Sequence, residues 1–146
     1  GEASPAMTYL RDQNLDELIP KLKQPFLGIC LGLQLMCEHS QENDTRGLGI
    51  FPAEVKYFAI DKKVPHMGWN DFTEIKGELF QGINSSDYVY FVHSYYAELT
   101  DQTSAKTRYG IEFSAALQRD NFYATQFHPE KSGKVGAKIL QNFIEI

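Results

Sequence analysis

The stretch Phe26-Leu27-Gly28-Ile29-Cys30 is a short, nearly unbroken apolar run, and Gln24-Pro25 separates it from the residues before it. A run of this length and composition is typical of a strand that is buried on both faces. The next segment, Leu31 to His39, returns to helical spacing. A buried strand that passes directly into a helix, with further strands and helices around it, predicts an α/β domain with a central, partly parallel sheet.

The segments on either side fit the same class of fold. Apolar residues recur at helical intervals from Met7 to Leu22, with a break near Gln13-Asn14, and a closing helix is predicted from Lys134 to Ile146. Between them, aromatic and β-branched residues predict strands. These strands are Ile50 to Ile60, Val64 to Ile75, Tyr88 to Leu99, Lys106 to Ile111 and Phe122 to Phe127.

Length and composition limit the possible classes of protein. A chain of 146 residues with 42% apolar composition predicts one compact domain. The net charge of -5 leaves no basic stripe for nucleic acid. No apolar run approaches the roughly 20 residues that span a bilayer. Cys30 and Cys37 lie seven positions apart along one predicted helix, about 10 Å from each other, and are expected to be free thiols in the cytoplasm.

Cys30 is the first candidate for chemistry. Gly28-Ile29-Cys30-Leu31-Gly32 has the form of a nucleophile elbow, in which a tight turn lifts one side chain above the sheet at the start of a helix. We expect both glycines to be required for close approach, and the helix N-terminus to favour the thiolate. The alternative is a buried structural cysteine between two turn glycines.

His128 and Glu130 are the second candidates. They lie two positions apart in the extended segment Gln126-Phe127-His128-Pro129-Glu130, so their side chains leave on the same face. A carboxylate beside an imidazole fixes its tautomer and stabilises its protonated form, which is the base and orienting pair of a Cys-His-Glu triad. The alternative is a surface turn.

Together these two segments resemble a known family. Gly-Ile-Cys-Leu-Gly-Leu-Gln at 28 to 34 and Gln-Phe-His-Pro-Glu-Lys-Ser at 126 to 132 are similar to the two signature segments of class I glutamine amidotransferases. The resemblance implies a flavodoxin-like, three-layer α/β domain with a central mixed, largely parallel sheet.

Two further strings narrow the resemblance. Pro-His-Met-Gly-Trp-Asn at 65 to 70 and Tyr-Phe-Val-His-Ser-Tyr at 90 to 95 resemble strings of the glutaminase subunits of imidazole glycerol phosphate synthases. The first string would otherwise be an exposed turn whose only tryptophan packs locally. The resemblance implies that it meets a cyclase subunit in a heterodimer, through Pro65, His66, Met67, Trp69 and Asn70.

The resemblance also implies roles in catalysis. Cys30 would attack the carboxamide of glutamine, His128 would carry the proton, and Glu130 would orient His128. The backbone N-H of Leu31 would form one part of an oxyanion hole. Gly1 would belong to the other part, as the last glycine of a loop.

Substrate recognition follows from the same likeness. The residues implied to hold glutamine are Gln34, Glu42, Ser94 and Tyr95, and no metal or cofactor is required. The ammonia would pass to the cyclase, which forms imidazole glycerol phosphate and an aminoimidazole carboxamide ribotide in histidine biosynthesis.

One departure from the family concerns the start of the chain. In the family a strand, a helix and a strand come before this point, so residues 1 to 146 are expected to form a single amidotransferase domain that lacks about 50 N-terminal residues. Two other functions stay open: a non-catalytic module that binds a cyclase, and a different cysteine-elbow α/β hydrolase.

Overall fold

The computed structural model describes residues 2–146, which form helices and eleven strands. The helices are α1 (Ala3–Asp12), α2 (Leu15–Leu18), α3 (Leu31–Met36) and α4 (Gly133–Ile144), with short 3-10 turns at Ile19–Lys21, Glu42–Asp44, Glu78–Phe80 and Pro129–Lys131. The strands are β1 (Phe26–Ile29), β2 (Cys37–Ser40), β3 (Thr45–Arg46), β4 (Phe51–Tyr57), β5 (His66–Asn70), β6 (Glu74–Ile75), β7 (Val89–His93), β8 (Tyr95–Ala97), β9 (Thr103–Arg108), β10 (Glu112–Arg119) and β11 (Phe122–Thr125).

The strands form three sheets of mixed direction. Their orders are β1-β11-β10-β9-β6, β3-β2-β4-β8 and β5-β7. The α/β class and the mixed sheet are therefore confirmed. Within residues 2–146, however, only β1 with β11 and β2 with β4 run parallel, so the prediction of a largely parallel sheet is wrong for this part of the fold. Strands β9, β10 and β11 are joined by short turns, and such turns connect antiparallel neighbours.

The apolar core lies on both faces of the five-stranded sheet. Successive side chains of a strand point to opposite faces. On β11, Tyr123 joins the cluster that includes Ile139 of α4, whereas Phe122 and Ala124 join the cluster that includes Leu33 of α3. Helix α4 therefore covers one face and helix α3 the other, which gives three layers.

Several predicted boundaries differ from the structure. The break after α1 is confirmed, with Asn14 in the left-handed region at φ 57°. The helix predicted to reach His39 ends at Met36, because Cys37 already pairs with Phe51 of β4. Strand β10 was not predicted, although it lies between β11 and β9.

The elbow occupies the turn between β1 and α3. Hydrogen bonds tie this turn to β11, which pairs with β1 along its whole length. Among the helices of residues 2–146, none is long and apolar enough to cross a membrane.

Candidate active site

Cys30 lies at the apex of a sharp turn. Its backbone has φ 54° and ψ -106°, a conformation that non-glycine residues rarely adopt and that is found at functional sites. The Cys30 N-H donates to the carbonyl of Thr125 at 2.8 Å, and so joins the elbow to the end of β11. The strained turn predicted from the glycine spacing is therefore present.

The two glycines beside Cys30 have different roles. A Cβ atom on Gly28 would lie 2.5 Å from the sulfur of Met36 and 3.0 Å from the backbone of Gly32, so a side chain at position 28 would collide with α3. A Cβ atom on Gly32 would meet nothing within 4 Å among the described residues. The expectation that both glycines are needed for close approach is confirmed at position 28 and wrong at position 32.

The Cys30 sulfur has two polar neighbours. It lies 3.8 Å from the carbonyl oxygen of Val92, to which the thiol donates, and 3.7 Å from Nε2 of Gln126, from which the sulfur accepts. Burial raises the pKa of the Cys30 thiol, against a smaller lowering by the backbone N-H of Leu31. The Leu31 N-H at the helix terminus favours the thiolate, as expected, but desolvation has the larger effect and leaves the pKa of Cys30 above its ordinary value.

His128 and Glu130 form the expected pair. Nδ1 of His128 lies 2.8 Å from Oε2 of Glu130. The Ser132 hydroxyl donates to the His128 carbonyl and accepts from the N-H of Tyr90, which fixes this segment against β7. Within residues 2–146, no hydrogen bond joins His128 to the Cys30 sulfur. The thiol donates instead to the Val92 carbonyl of β7, and so does not point toward His128, its predicted base.

A cavity of about 250 Å³ opens beside Cys30. It is lined by the four residues predicted to hold glutamine, together with Leu31, which follows Cys30. Its lining residues are Cys30, Leu31, Gln34, Glu42, Pro65, Val92, His93, Ser94 and Tyr95. Residues that are far apart in the sequence are thus brought around one space next to the nucleophile.

Two of the predicted glutamine-binding residues already have partners. Nε2 of Gln34, a buried side chain, donates to the Tyr95 carbonyl and to Oε1 of Gln126, at 3.0 Å each. Oε1 of Glu42 accepts from the backbone N-H of Ala3 at 2.7 Å, where α1 begins. Glu42 therefore connects the start of α1 to the rim of the cavity.

A chain of hydrogen bonds runs from Tyr95 to strand β5. The Tyr95 carbonyl can only accept, so Nδ1 of His93 carries the hydrogen of their 2.7 Å bond, and Nε2 of His93 accepts from Nδ1 of His66 at 3.0 Å. Nδ2 of Asn70 then lies 3.4 Å from Nε2 of His66. Burial lowers the pKa of His66 to about 4 and of His93 to about 3, so both rings are neutral at neutral pH.

The five predicted interface residues divide into three groups. The side chains of Met67 and Trp69 are 62% and 57% exposed on β5. His66 is buried, where its ring stacks on Phe91 and Tyr109, so it supports the exposed pair from below. The remaining two lie at the margins: Pro65 lines the cavity beside Cys30, and Asn70 bonds the Arg108 carbonyl.

Gly1, predicted to belong to the oxyanion hole, lies outside the described residues. Leu31 follows Cys30 and lines the cavity, and its part in an oxyanion hole stays a prediction.

Comparisons with known proteins show the family of this chain. The family described as "Glutamine amidotransferase class-I" matches residues 5–146. This chain belongs to the class-I glutamine amidotransferases. Among its curated relatives, the "Imidazole glycerol phosphate synthase subunit HisH" of Bacteroides fragilis is 53% identical over 149 residues, which cover 100% of this chain and 76% of that protein. "HisH 1" of Methanococcus maripaludis is 49% identical over 92% of this chain and 70% of its own length. The family predicted from the signature strings is therefore confirmed, down to its imidazole glycerol phosphate synthase branch.

Solved amidotransferase structures share the fold. A putative GMP synthase protein from Thermoplasma acidophilum superposes with a TM-score of 0.67 at 25% identity, covering 90% of this chain and 61% of that one. This chain thus spans less than two thirds of that structure. A glutamine amidotransferase from Thermotoga maritima superposes with a TM-score of 0.60 at 22% identity, covering 97% of this chain and 54% of that one, which shows likeness of fold alone.

Sequence reasoning assigned no role to two residues that contact the nucleophile. Gln126 was quoted as part of a signature segment, and Val92 as part of a strand. The signal for Gln126 is its position two residues before His128. The Val92 carbonyl carries no signal in the sequence, because any residue would supply it.

Proposed function

We propose that this amidotransferase hydrolyses glutamine to glutamate and ammonia and passes the ammonia to a cyclase subunit of imidazole glycerol phosphate synthase, in histidine biosynthesis. One observation carries the proposal. Cys30 lies on a strained elbow beside a cavity that is lined by all four predicted glutamine-binding residues. The His128–Glu130 pair is already formed.

The reaction follows from the chemistry of these groups. His128 binds Glu130 through Nδ1, so Nε2 is free to take the proton of the Cys30 thiol once the sulfur leaves the Val92 carbonyl. The thiolate attacks the carboxamide carbon, and the Leu31 N-H lies on the side where the oxyanion forms. The protonated His128 gives its proton to the departing ammonia, and water then cleaves the thioester to release glutamate.

Substrate recognition is proposed to use the cavity wall. Glutamine has an α-ammonium and an α-carboxylate besides its reacting amide. The Glu42 carboxylate is the only acidic side chain among the residues described as lining this cavity, so it suits the ammonium group. Ser94, which lies between β7 and β8, and Tyr95, the first residue of β8, would bind the carboxylate, while Gln34 would contact the amide end near Cys30.

Glutamate release in the presence of the cyclase tests the proposal. Cys30→Ala should abolish release, whereas Cys37→Ala should retain it, because Cys37 is buried in the core and does not line the cavity. Intact release in Cys30→Ala would reject the assignment. A protein that binds the cyclase without releasing glutamate would be a non-catalytic module, and release with other amides in place of glutamine would indicate a different hydrolase.

The cyclase is proposed to dock on β5 through Met67 and Trp69. Isolated apolar side chains of this size, exposed on one strand, suit the apolar centre of an interface. Met67→Glu should weaken binding of the cyclase, measured by calorimetry, while Tyr9→Glu on α1, with equal exposure, serves as the control. Equal affinities of the two variants would count against this surface.

With its two free thiols, the chain is proposed to act in the cytoplasm.

A further inference from the structure

Gln126 contacts the nucleophile from a fully buried position. Its side chain has no exposed surface, and its Nε2 lies 3.7 Å from the Cys30 sulfur. Gln126 is also anchored through its backbone, whose N-H donates to the Ala115 carbonyl on β10 at 2.8 Å. The mechanism proposed above does not use this buried amide, although it lies within hydrogen-bonding distance of the sulfur.

The orientation of the Gln126 amide is fixed by Gln34. The Tyr95 carbonyl has only lone pairs, so the end of Gln34 that faces it must be its NH2 group. The same NH2 group also faces the Gln126 side chain at 3.0 Å, and that end of Gln126 must therefore be its oxygen. The NH2 group of Gln126 is left to face the Cys30 sulfur.

We propose that Gln126 stabilises the thiolate of Cys30 through an N-H···S hydrogen bond, and that Gln34 is a positioning residue that holds the Gln126 amide in the donating orientation. The proposal rests on the proposed function, because it assigns further residues to the same nucleophile. It gives Gln34 a second role besides bordering the glutamine cavity.

The electrostatics of the site make such a donor useful. Burial raises the pKa of the Cys30 thiol, and the Gln126 side chain is among the groups that oppose this effect. A hydrogen bond to an ionised sulfur is stronger than one to a neutral thiol, so the donor favours the thiolate. The Val92 carbonyl acts in the opposite direction, since it accepts from the protonated thiol.

The test is the pH dependence of Cys30 alkylation by iodoacetamide in the isolated chain, followed by peptide mass spectrometry. Only the thiolate reacts, so the midpoint of the rate profile reports the pKa of the thiol. Gln126→Met keeps an unbranched side chain of similar length without a donor. We expect its profile to move upward by about one pH unit, with the alkylation rate at pH 7 reduced about tenfold.

Gln34→Met tests the positioning role separately, because Gln34 makes no hydrogen bond to the sulfur. Without it, the Gln126 amide is free to turn its oxygen toward the thiol, so the profile should also move upward. Gln141→Met, on the exposed face of α4, is the matched control and should leave the profile unchanged. Cys37 is an internal control for unfolding, because its buried thiol is labelled only when the core opens.

Several outcomes would overturn the proposal. An unchanged Cys30 profile in Gln126→Met rejects the hydrogen bond to the thiolate, and a shift in Gln126→Met but not in Gln34→Met rejects the positioning role.

If Cys37 becomes labelled in Gln126→Met, the isosteric Gln126→Glu replaces it. A carboxylate still accepts from Gln34 but repels the thiolate, so the profile must rise, and a profile that does not rise rejects the proposal. Alkylation does not require catalytic turnover. It therefore still reports the pKa of Cys30 if the glutaminase assay fails.

Discussion

At the scale of single residues, the two glycines of the elbow differ in whether their surroundings leave room for a side chain. Gly28 packs against Gly32 and Met36 of α3 and leaves no room for a side chain, whereas Gly32 faces open space within residues 2–146. The same motif therefore contains one position set by packing and one that is not.

Replacement of each glycine by alanine should separate these cases. Gly28→Ala should lower the free energy of unfolding by about 1–3 kcal/mol, because its Cβ overpacks against Met36 and Gly32. Gly32→Ala should leave it unchanged or raise it by up to about 1 kcal/mol, since alanine favours the helix. Urea unfolding followed by circular dichroism measures both. Equal destabilisation by the two substitutions would contradict this account.

The His128–Glu130 pair predicts a second effect at this scale. Glu130→Gln replaces a carboxylate, which can only accept from Nδ1, with a neutral amide that can also donate to it. The Nδ1-H tautomer of His128 is then no longer selected, so glutamate release with the cyclase should fall by roughly 10²- to 10⁴-fold. Glu74→Gln, which loses a surface ion pair with Lys106, is the control and should retain full activity. A loss smaller than tenfold in Glu130→Gln would show that Glu130 does not orient the base.

At the scale of elements, α4 supports the segment that carries His128, the candidate base. Gly136 of α4 lies so close to the 3-10 turn at Pro129–Lys131 that an added Cβ would come within 1.9 Å of the Pro129 carbonyl oxygen. The backbone N-H of Gly136 also bonds the Ser132 carbonyl, and Ser132 in turn holds His128. The position of His128 therefore depends on how closely α4 approaches.

Gly136→Ala should move α4 away from this turn. We expect a loss of stability of about 1–3 kcal/mol, and a further loss of glutamate release at temperatures where the protein is still folded. Lys134→Ala, exposed on the same helix, is the control for both measurements. Destabilisation with full activity in the folded variant would show that the helix does not position the base.

At the scale of the whole molecule, two buried histidines connect the exposed strand β5 to the cavity. His66 and His93 are neutral in the folded state because burial lowers their pKa values to about 4 and 3, from an ordinary value of 6.5. The unfolded chain takes up protons below pH 6.5 where the folded chain does not. Stability contributed by these rings is therefore complete above pH 6.5 and is lost as the pH falls toward 4.

The low pKa values of His66 and His93 predict that the folded protein loses stability in acid. The free energy of unfolding should fall by about 2 kcal/mol per histidine between pH 7 and pH 5, and His66→Asn should show a smaller fall than the unaltered protein. His39, whose pKa is raised by Glu54 and Asp44, has the opposite effect and stabilises the fold as the pH falls through 6.5, but it is present in both proteins and cancels in their comparison. Urea unfolding at several pH values gives the slopes. Identical slopes in the two proteins would contradict the assignment to His66.

The sequence by itself determined the family, the elbow and the identity of the candidate triad. These features are local: Gly28 to Gly32 specify a turn that only certain residues permit, and His128 with Glu130 share a face because strand geometry alternates. The α/β class followed from the same local pattern, since an apolar run of five residues directly before a helix is typical of a buried strand.

Only the tertiary structure decided the direction of the strands and the protonation state of Cys30. Strand β10 contains Ser114, Ala115 and Ala116, which are weak strand formers, and it is a strand because its neighbours supply the hydrogen bonds. The protonation of Cys30 depends likewise on burial, on the Val92 carbonyl and on the Gln126 amide, which reach it from other elements. A sequence records which groups a chain carries, whereas their pKa values and orientations depend on which groups the fold places beside them.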